Sequence, residues 1–355
     1  VGEAGVRVRA LGGDRAGEMR ITRFLRNGRV TLDEMAATAA AATASRVKGR
    51  HILAIQDTTS LRDDGAGSSL VLRPTIAADA LDGALLGLVG AQLLGRSGGL
   101  KALRKQRRLA DQQSRRWLDA AAAPELGGMR VPLAAAPGRP ARVARVMLRA
   151  TRAAIARPRS RAGAVAAGLP DAVPPTLLEA REVNPPDGVT PAHWRRLTTH
   201  AVDDPADACE MIDFHRARWT IEQLFRTLKI RGFDIEAVRI ADDAPSEKLA
   251  LASLIAAIDV LKPVRDRDGT AKRPITDVFD AADQPAIAAI SDSLEGKTQR
   301  QKNPHPPGSL AFATWVCARL GGWTGCYGKP APITVRNGLL QLRAIQRGYK
   351  LRRHP

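Results

Sequence analysis

Four side chains in the stretch Met211–Lys229 have the types and spacing for chemistry on a phosphate. His215, Arg218, Glu222 and Lys229 stand at offsets 0, 3, 7 and 14. At about 100° per residue, these offsets fall within roughly 60° of one another on a helix. One helix face would then carry a carboxylate flanked by two permanent cations and a titratable ring. A metal-binding carboxylate among phosphate-gripping cations suits phosphoryl transfer on DNA. The same pattern also suits an amphipathic helix with Glu–Arg pairs on its wet face. A second acid, Asp57, closes the apolar run that starts at His51 and precedes Thr58-Thr59-Ser60. Its position suits a metal ligand at a sheet edge, and equally a turn or helix cap.

These residues need elements to hold them. Residues 17–49 read as helical, with a basic turn at Arg23-Phe24-Leu25-Arg26-Asn27-Gly28-Arg29. Thr31 opens a new helix, and Glu34 three positions on completes a capping-box pattern. His51–Asp57 reads as a buried strand. Ser69–Ala77 and Ala84–Leu94 read as two more, joined by a hairpin turn at Leu81-Asp82-Gly83. Asp111–Ala123 reads as a short helix and Pro124–Met129 as a turn-rich break. Residues 130–182 hold strand-like pieces among Arg- and Pro-rich loops. Val183–Gly188 is a turn. Arg196–Val202 reads as a strand leading into one long helix from about Pro205 to Arg231. A mainly helical C-terminal region follows, without internal repeats.

The charge balance narrows the partners. The 355 residues include 55 Lys and Arg against 36 Asp and Glu, a net charge of +19. The sequence pI is about 10.9. Such an excess points to a polyanion, most often nucleic acid. It is concentrated: residues 101–160 hold 15 Lys and Arg and only three acids, a net +12. A solvated face without function rarely gathers charge so densely. Hydrophobic residues make up 44% and aromatic ones only 4%, so small side chains must fill much of the core. Cys209, Cys317 and Cys326 show no CxxC spacing and read as free thiols of a reducing compartment. No apolar run of membrane-spanning length is expected, nor a signal peptide. The chain begins at Val1 rather than Met, which suggests a truncated N-terminus.

The pattern His215-x2-Arg218-x3-Glu222-x6-Lys229 resembles the Tyr-Arg-Glu-Lys signature of bacterial transposases of the insertion-sequence-four type. Arg218-Trp219-x-Ile221-Glu222 and Phe225-Arg226-x-Leu228-Lys229 match around it. Arg23-Phe24-Leu25-Arg26-Asn27 resembles that family's N-terminal DNA-binding segment, and Ala54-Ile55-Gln56-Asp57-Thr58-Thr59-Ser60-Leu61 its first-Asp motif. Asn184-Pro185-Pro186-x-Gly188-x-Thr190-Pro191-x-x-Trp194, Gly308-Ser309-Leu310 and Ala318-Arg319-Leu320-Gly321-Gly322 match further blocks in order. The resemblance spans nearly the whole chain.

It implies an α/β fold: a ribonuclease-H-like catalytic core with a mixed sheet flanked by helices, a small helical N-terminal domain and a helical C-terminal region. The boundaries would be 1–49 for the DNA-binding segment, 50–235 for the core with a basic insertion, and 236–355 for the C-terminal region, for DNA contact or dimerisation. It implies DNA transposition, with Asp57 and Glu222 as catalytic residues holding Mg2+ or Mn2+ for strand nicking and transfer. His215, Arg218, Lys229, Arg23 and Arg26 would contact DNA phosphates, and Trp219 would stack on a flipped base or else sit in the core. The partners would be duplex DNA at transposon ends and target and a second copy of the chain, in the cytoplasm at the nucleoid, without a membrane.

Two departures stand out. His215 takes the place of the family's Tyr. The family's middle Asp, on an apolar strand between a Ser-x-x-Trp helix and a Pro-Glu-Leu-Gly turn, has no counterpart. Here Ser114-Arg115-Arg116-Trp117 runs through Asp119 and an alanine tract directly into Pro124-Glu125-Leu126-Gly127. An internal deletion near 123/124 accounts for this. Asp119, Asp203 and Asp204 are poor substitutes by context. The alternative function is a catalytically inactive, transposase-derived DNA-binding protein.

Overall fold

A computed structural model describes residues 6–63, 68–97, 123–133, 135, 140–156, 170–230, 233–238, 242–325 and 328–353. The helix expected over 111–123 lies, apart from its last residue, outside these. So do Asp119 and Cys326. The chain divides into two compact units, Val1–Gly98 with Ala217–Pro355, and Gly99–Arg216. The boundaries expected at 49/50 and 235/236 fall inside the first unit. The second unit holds the whole of the basic stretch 101–160.

The first unit opens with α1 (Val8–Gly12), α2 (Arg15–Arg26) and α3 (Leu32–Val47). Asp14 caps α2 by accepting from the Gly17 amide at 2.6 Å. Thr31 caps α3 by accepting from the Glu34 amide at 3.1 Å, as the sequence pattern requires. Four strands follow: β1 (Ile52–Gln56), β2 (Thr59–Asp63), β3 (Ser68–Asp79) and β4 (Leu85–Ser97). β1 and β2 lie end to end along one edge of β3, and β4 pairs with the other edge. Gln56 pairs with Thr75 and Thr59 with Leu72, so Asp57 and Thr58 face Arg73 and Pro74. Proline lacks the N–H a ladder needs, and the break between β1 and β2 falls beside it. The hairpin turn stands at Leu81–Gly83 as expected, with Gly83 at φ 68.

Helices cover this sheet. α3 packs on β4, where Gly87 leaves room for Thr43 and the Leu86 carbonyl accepts from Arg46 Nε at 2.7 Å. Within this unit α5 (Trp219–Lys229), α6 (Asp243–Arg265), α7 (Gln284–Leu294), α8 (Leu310–Leu320) and α9 (Pro332–Arg353) follow, after α4 (Pro205–Ala217) of the second unit. α6 is buried on most sides, with Leu249, Leu251, Leu254, Ile258 and Leu261 in the core, as an almost continuously apolar helix must be. It touches β4, α2, α3, α5, α8 and α9. α8 meets α9 at Gly321 and Gly338, where a Cβ on Gly338 would collide with the Cys317 carbonyl. The expected helical C-terminal region is present.

In the second unit β5 (Glu125–Leu133), β6 (Arg142–Arg152), β9 (Thr176–Glu182) and β10 (His193–Thr198) form an antiparallel sheet in the order β10-β9-β6-β5. β7 (Ile155–Ala156) pairs with β8 (Ala172–Val173). Helix α4 (Pro205–Ala217) lays Ala208, Met211 and Ile212 on Val146, Leu148, Leu178 and Ala180. β10 starts three residues before the expected strand.

The chain is therefore α/β. One expectation is corrected: all ladders among the described residues are antiparallel, so these segments build no mixed sheet. A short turn at 80–84 joins β3 to β4, whereas a parallel pair would need a crossover of a dozen or more residues. A second correction concerns the long helix, which is interrupted at Arg218 between α4 and α5. No helix among the described residues is long and apolar enough to cross a membrane.

Just beyond α6, Asp266 is 2% exposed. Burial pushes its carboxyl up to about 6, against the opposing pull of Arg273. A carboxyl raised in the fold contributes stability that is complete below pH 3.8 and lost as pH rises through about 6. Asp266→Asn should therefore stabilise the protein at pH 7 by on the order of 1–3 kcal/mol, with the gain gone by pH 4. Denaturant unfolding at several pH values checks this; a pH-independent difference contradicts it.

Candidate functional site

The expected acids meet through one arginine. Asp57 sits in the two-residue break between β1 and β2. Its Oδ1 accepts from the Thr58 amide at 2.7 Å, which fixes the carboxylate. Glu222 lies in the first turn of α5, one turn on from Arg218. Arg218 Nη1 donates to Asp57 Oδ2 at 2.8 Å and Nη2 donates to Glu222 Oε1 at 2.6 Å. Arg218 and Asp57 are 161 positions apart in sequence. All three side chains are about one-third exposed, so the cluster stays open to solvent.

The local sequence explains this placement. α5 buries Thr220, Ile221, Leu224, Thr227 and Leu228, an i, i+3/i+4, i+7 stripe. That turns Glu222 and Lys229 to the opposite side. Arg218 precedes α5 with helical backbone angles, φ −56 and ψ −29, so its i+4 reach to Glu222 survives the interruption.

The other candidates fare differently. Trp219 is 58% exposed, which rules out the core role. Lys229 Nζ pairs with Glu236 Oε1 at 2.7 Å. Arg26 pairs with Asp242 at 3.1 Å on the surface. Arg23 is exposed in the last turn of α2 and has no polar partner among the described residues. His215 lies in the last turn of α4, in the second unit. Sequence reading did not assign Arg218 the bridging role, although Arg218 and Glu222 at i and i+4 signalled half of it.

Asp204 is a helix cap. Its Oδ1 accepts from the Ala206 and Asp207 amides at 2.7 and 2.9 Å, with Pro205 at the first helical position. Asp203 donates its own amide to Asp207 Oδ2 at 3.0 Å.

The donor set limits what the site can hold. Magnesium commonly uses one or two carboxylates and completes its shell with water and substrate phosphate. Asp57 and Glu222 fit one such ion, and among the described residues only Glu222 Oε1 is engaged, by Arg218. A two-ion site needs further carboxylates. Among the described residues no group of three or more His, Cys, Asp or Glu side chains could hold a metal. The described thiols offer no alternative: Cys317 is fully buried with its thiol pushed up to about 12, and burial also raises that of the half-buried Cys209. No protein-family model matches the sequence.

If Asp204 is only a cap, Asp204→Ala should cost about 1 kcal/mol, whereas Asp204→Asn should stay within a few tenths. Thermal melts of both variants measure this. An Asn variant as unstable as the Ala variant would contradict the capping role.

Proposed function

We propose that the chain is a DNA transposase of the insertion-sequence-four type, acting on transposon ends through a ribonuclease-H-like core that holds Asp57 and Glu222. The observation that carries this reading is the meeting of Asp57 with Arg218 and Glu222, two distant motifs joined at one open site. The three antiparallel ribbons, β1/β2, β3 and β4, with Asp57 on the edge ribbon, accord with the first half of such a core. The net charge of +19 accords with DNA as partner.

In this account Asp57 and Glu222 hold Mg2+ or Mn2+, which when bound supplies Lewis-acid stabilisation of the transferred phosphate. Arg218 balances the two carboxylates in the free protein and turns to the scissile phosphate when DNA arrives. Its planar fork can switch from carboxylate to phosphate without losing its geometry. Trp219, beside it, offers an exposed ring on which an unstacked base can rest. Lys229, Arg26, Arg23 and His215 contact backbone phosphates, the first two after exchanging their acidic partners. A second copy joins on DNA, at the nucleoid.

One observation favours a second reading, a DNA-binding relative that no longer cuts. No third carboxylate joins Asp57 and Glu222 among the described residues, and the sequence lacks the middle Asp before Pro124.

Incubation with Mg2+ and a duplex carrying the inverted repeat that flanks the coding sequence separates these. Nicking reduced at least about 100-fold by Asp57→Asn or Glu222→Gln is the expected result. Salt-sensitive binding without nicking gives the second reading, and no binding even at low salt overturns both.

A further inference from the structure

The sheet of the second unit has two faces of unlike chemistry. One is apolar and covered by α4. The other carries most of the sheet's charged side chains, interspersed with Val143, Met147 and Leu197. There Arg149 reaches Glu125 Oε1 at 2.6 Å and Glu179 Oε2 at 4.0 Å. Glu179, 2% exposed, also takes His193 Nε2 at 2.7 Å and Arg195 Nε at 3.3 Å. Those two glutamates are thereby spent.

Three more arginines stand on the same face without any acid. Arg130 on β5 is directly opposite Arg145 on β6. Arg181 on β9 is opposite Met147, hence diagonal to Arg145. All three are exposed, and none has an ion pair or a side-chain hydrogen bond among the described residues. Like charges placed directly opposite on a sheet are unfavourable, so Arg130 and Arg145 are a standing electrostatic cost. Neighbours across a sheet lie about 5 Å apart and diagonal ones about 7–8 Å, which matches the dense, regular charge of a nucleic-acid backbone.

We infer that Arg130, Arg145 and Arg181 form a docking face for the phosphate backbone of duplex DNA, separate from the Asp57–Glu222 site. The absence of a stacking platform favours the duplex over a single strand: no Phe, Tyr or Trp occupies an outer-face position of these four strands, and Trp194 packs on the apolar side. Single-strand binding relies on such rings, whereas backbone contact to a duplex does not. The face binds without reading sequence, because it meets phosphates and not base edges. It stands on the unpaired arginines and does not depend on catalysis at Asp57 and Glu222.

The test is the salt dependence of full-length protein binding to a fluorescent random-sequence duplex. Each phosphate contact contributes about 0.9 to the slope of log affinity against log salt, so Arg130→Gln, Arg145→Gln and Arg181→Gln together should flatten it by about 2.7. The triple Lys variant should keep most of the slope, and melts matching the starting protein guard against misfolding. An unchanged slope in the Gln variant overturns the inference, as does a Lys variant that loses as much. The binding is read in EDTA, where no nicking occurs, so a failure of nicking and a failure of this face are distinguishable.

Discussion

Arg218 is the interaction on which the site depends. Its guanidinium reaches a break in the edge of a sheet with one nitrogen and the first turn of a helix with the other. Without a cation between them, two carboxylates converging on one open site would repel. With it, the pair is balanced to a single net negative charge. The ions are about one-third exposed, so each bond supplies on the order of 1 kcal/mol or less. The cluster therefore positions more than it stabilises, and its modest strength allows the arginine to let go when phosphate competes.

What stabilises the unit lies beneath. The apolar stripe of α5 and the buried length of α6 fix the height and rotation of Glu222, while the β1–β3 register fixes Asp57. The surroundings are built for close approach. Gly338 lets α9 press against the end of α8, and Gly87 lets α3 settle on β4. A chain with few aromatic residues reaches native packing this way, by bringing backbones together instead of filling space with rings.

Much of this was legible from residue order. The strand leading to Asp57, the hairpin at Leu81–Gly83, the Thr31 cap and the Arg218–Glu222 spacing all follow local rules, and local rules survive folding. Other features depend on partners far away in sequence. β2 is short and polar and exists because β3 offers it an edge. The interruption at Arg218 carries no Pro or Gly signal, and its residue keeps helical angles. The hairpin made the β3–β4 ladder antiparallel from sequence, but the pairing of the other ladders depends on strands farther apart in the chain. The division into two units, with 99–216 apart, had only its charge as a signal.

The second unit shows the same economy of charge. Its buried glutamates are matched to particular arginines, and Glu182 is held low by Arg142, whose Nη2 lies 2.8 Å from Oε2. On the outer face of its sheet the arginines left unmatched among the described residues, Arg130, Arg145 and Arg181, are exposed.

A double-mutant cycle on Asp57→Asn and Arg218→Gln, repeated with Glu222→Gln, tests the bridge most directly. Equilibrium unfolding at low salt should show coupling of about 0.5–1 kcal/mol for each pair, shrinking as salt is raised. Additive effects for both pairs would mean that Arg218 does not hold the two carboxylates together, and the account of the site would be wrong.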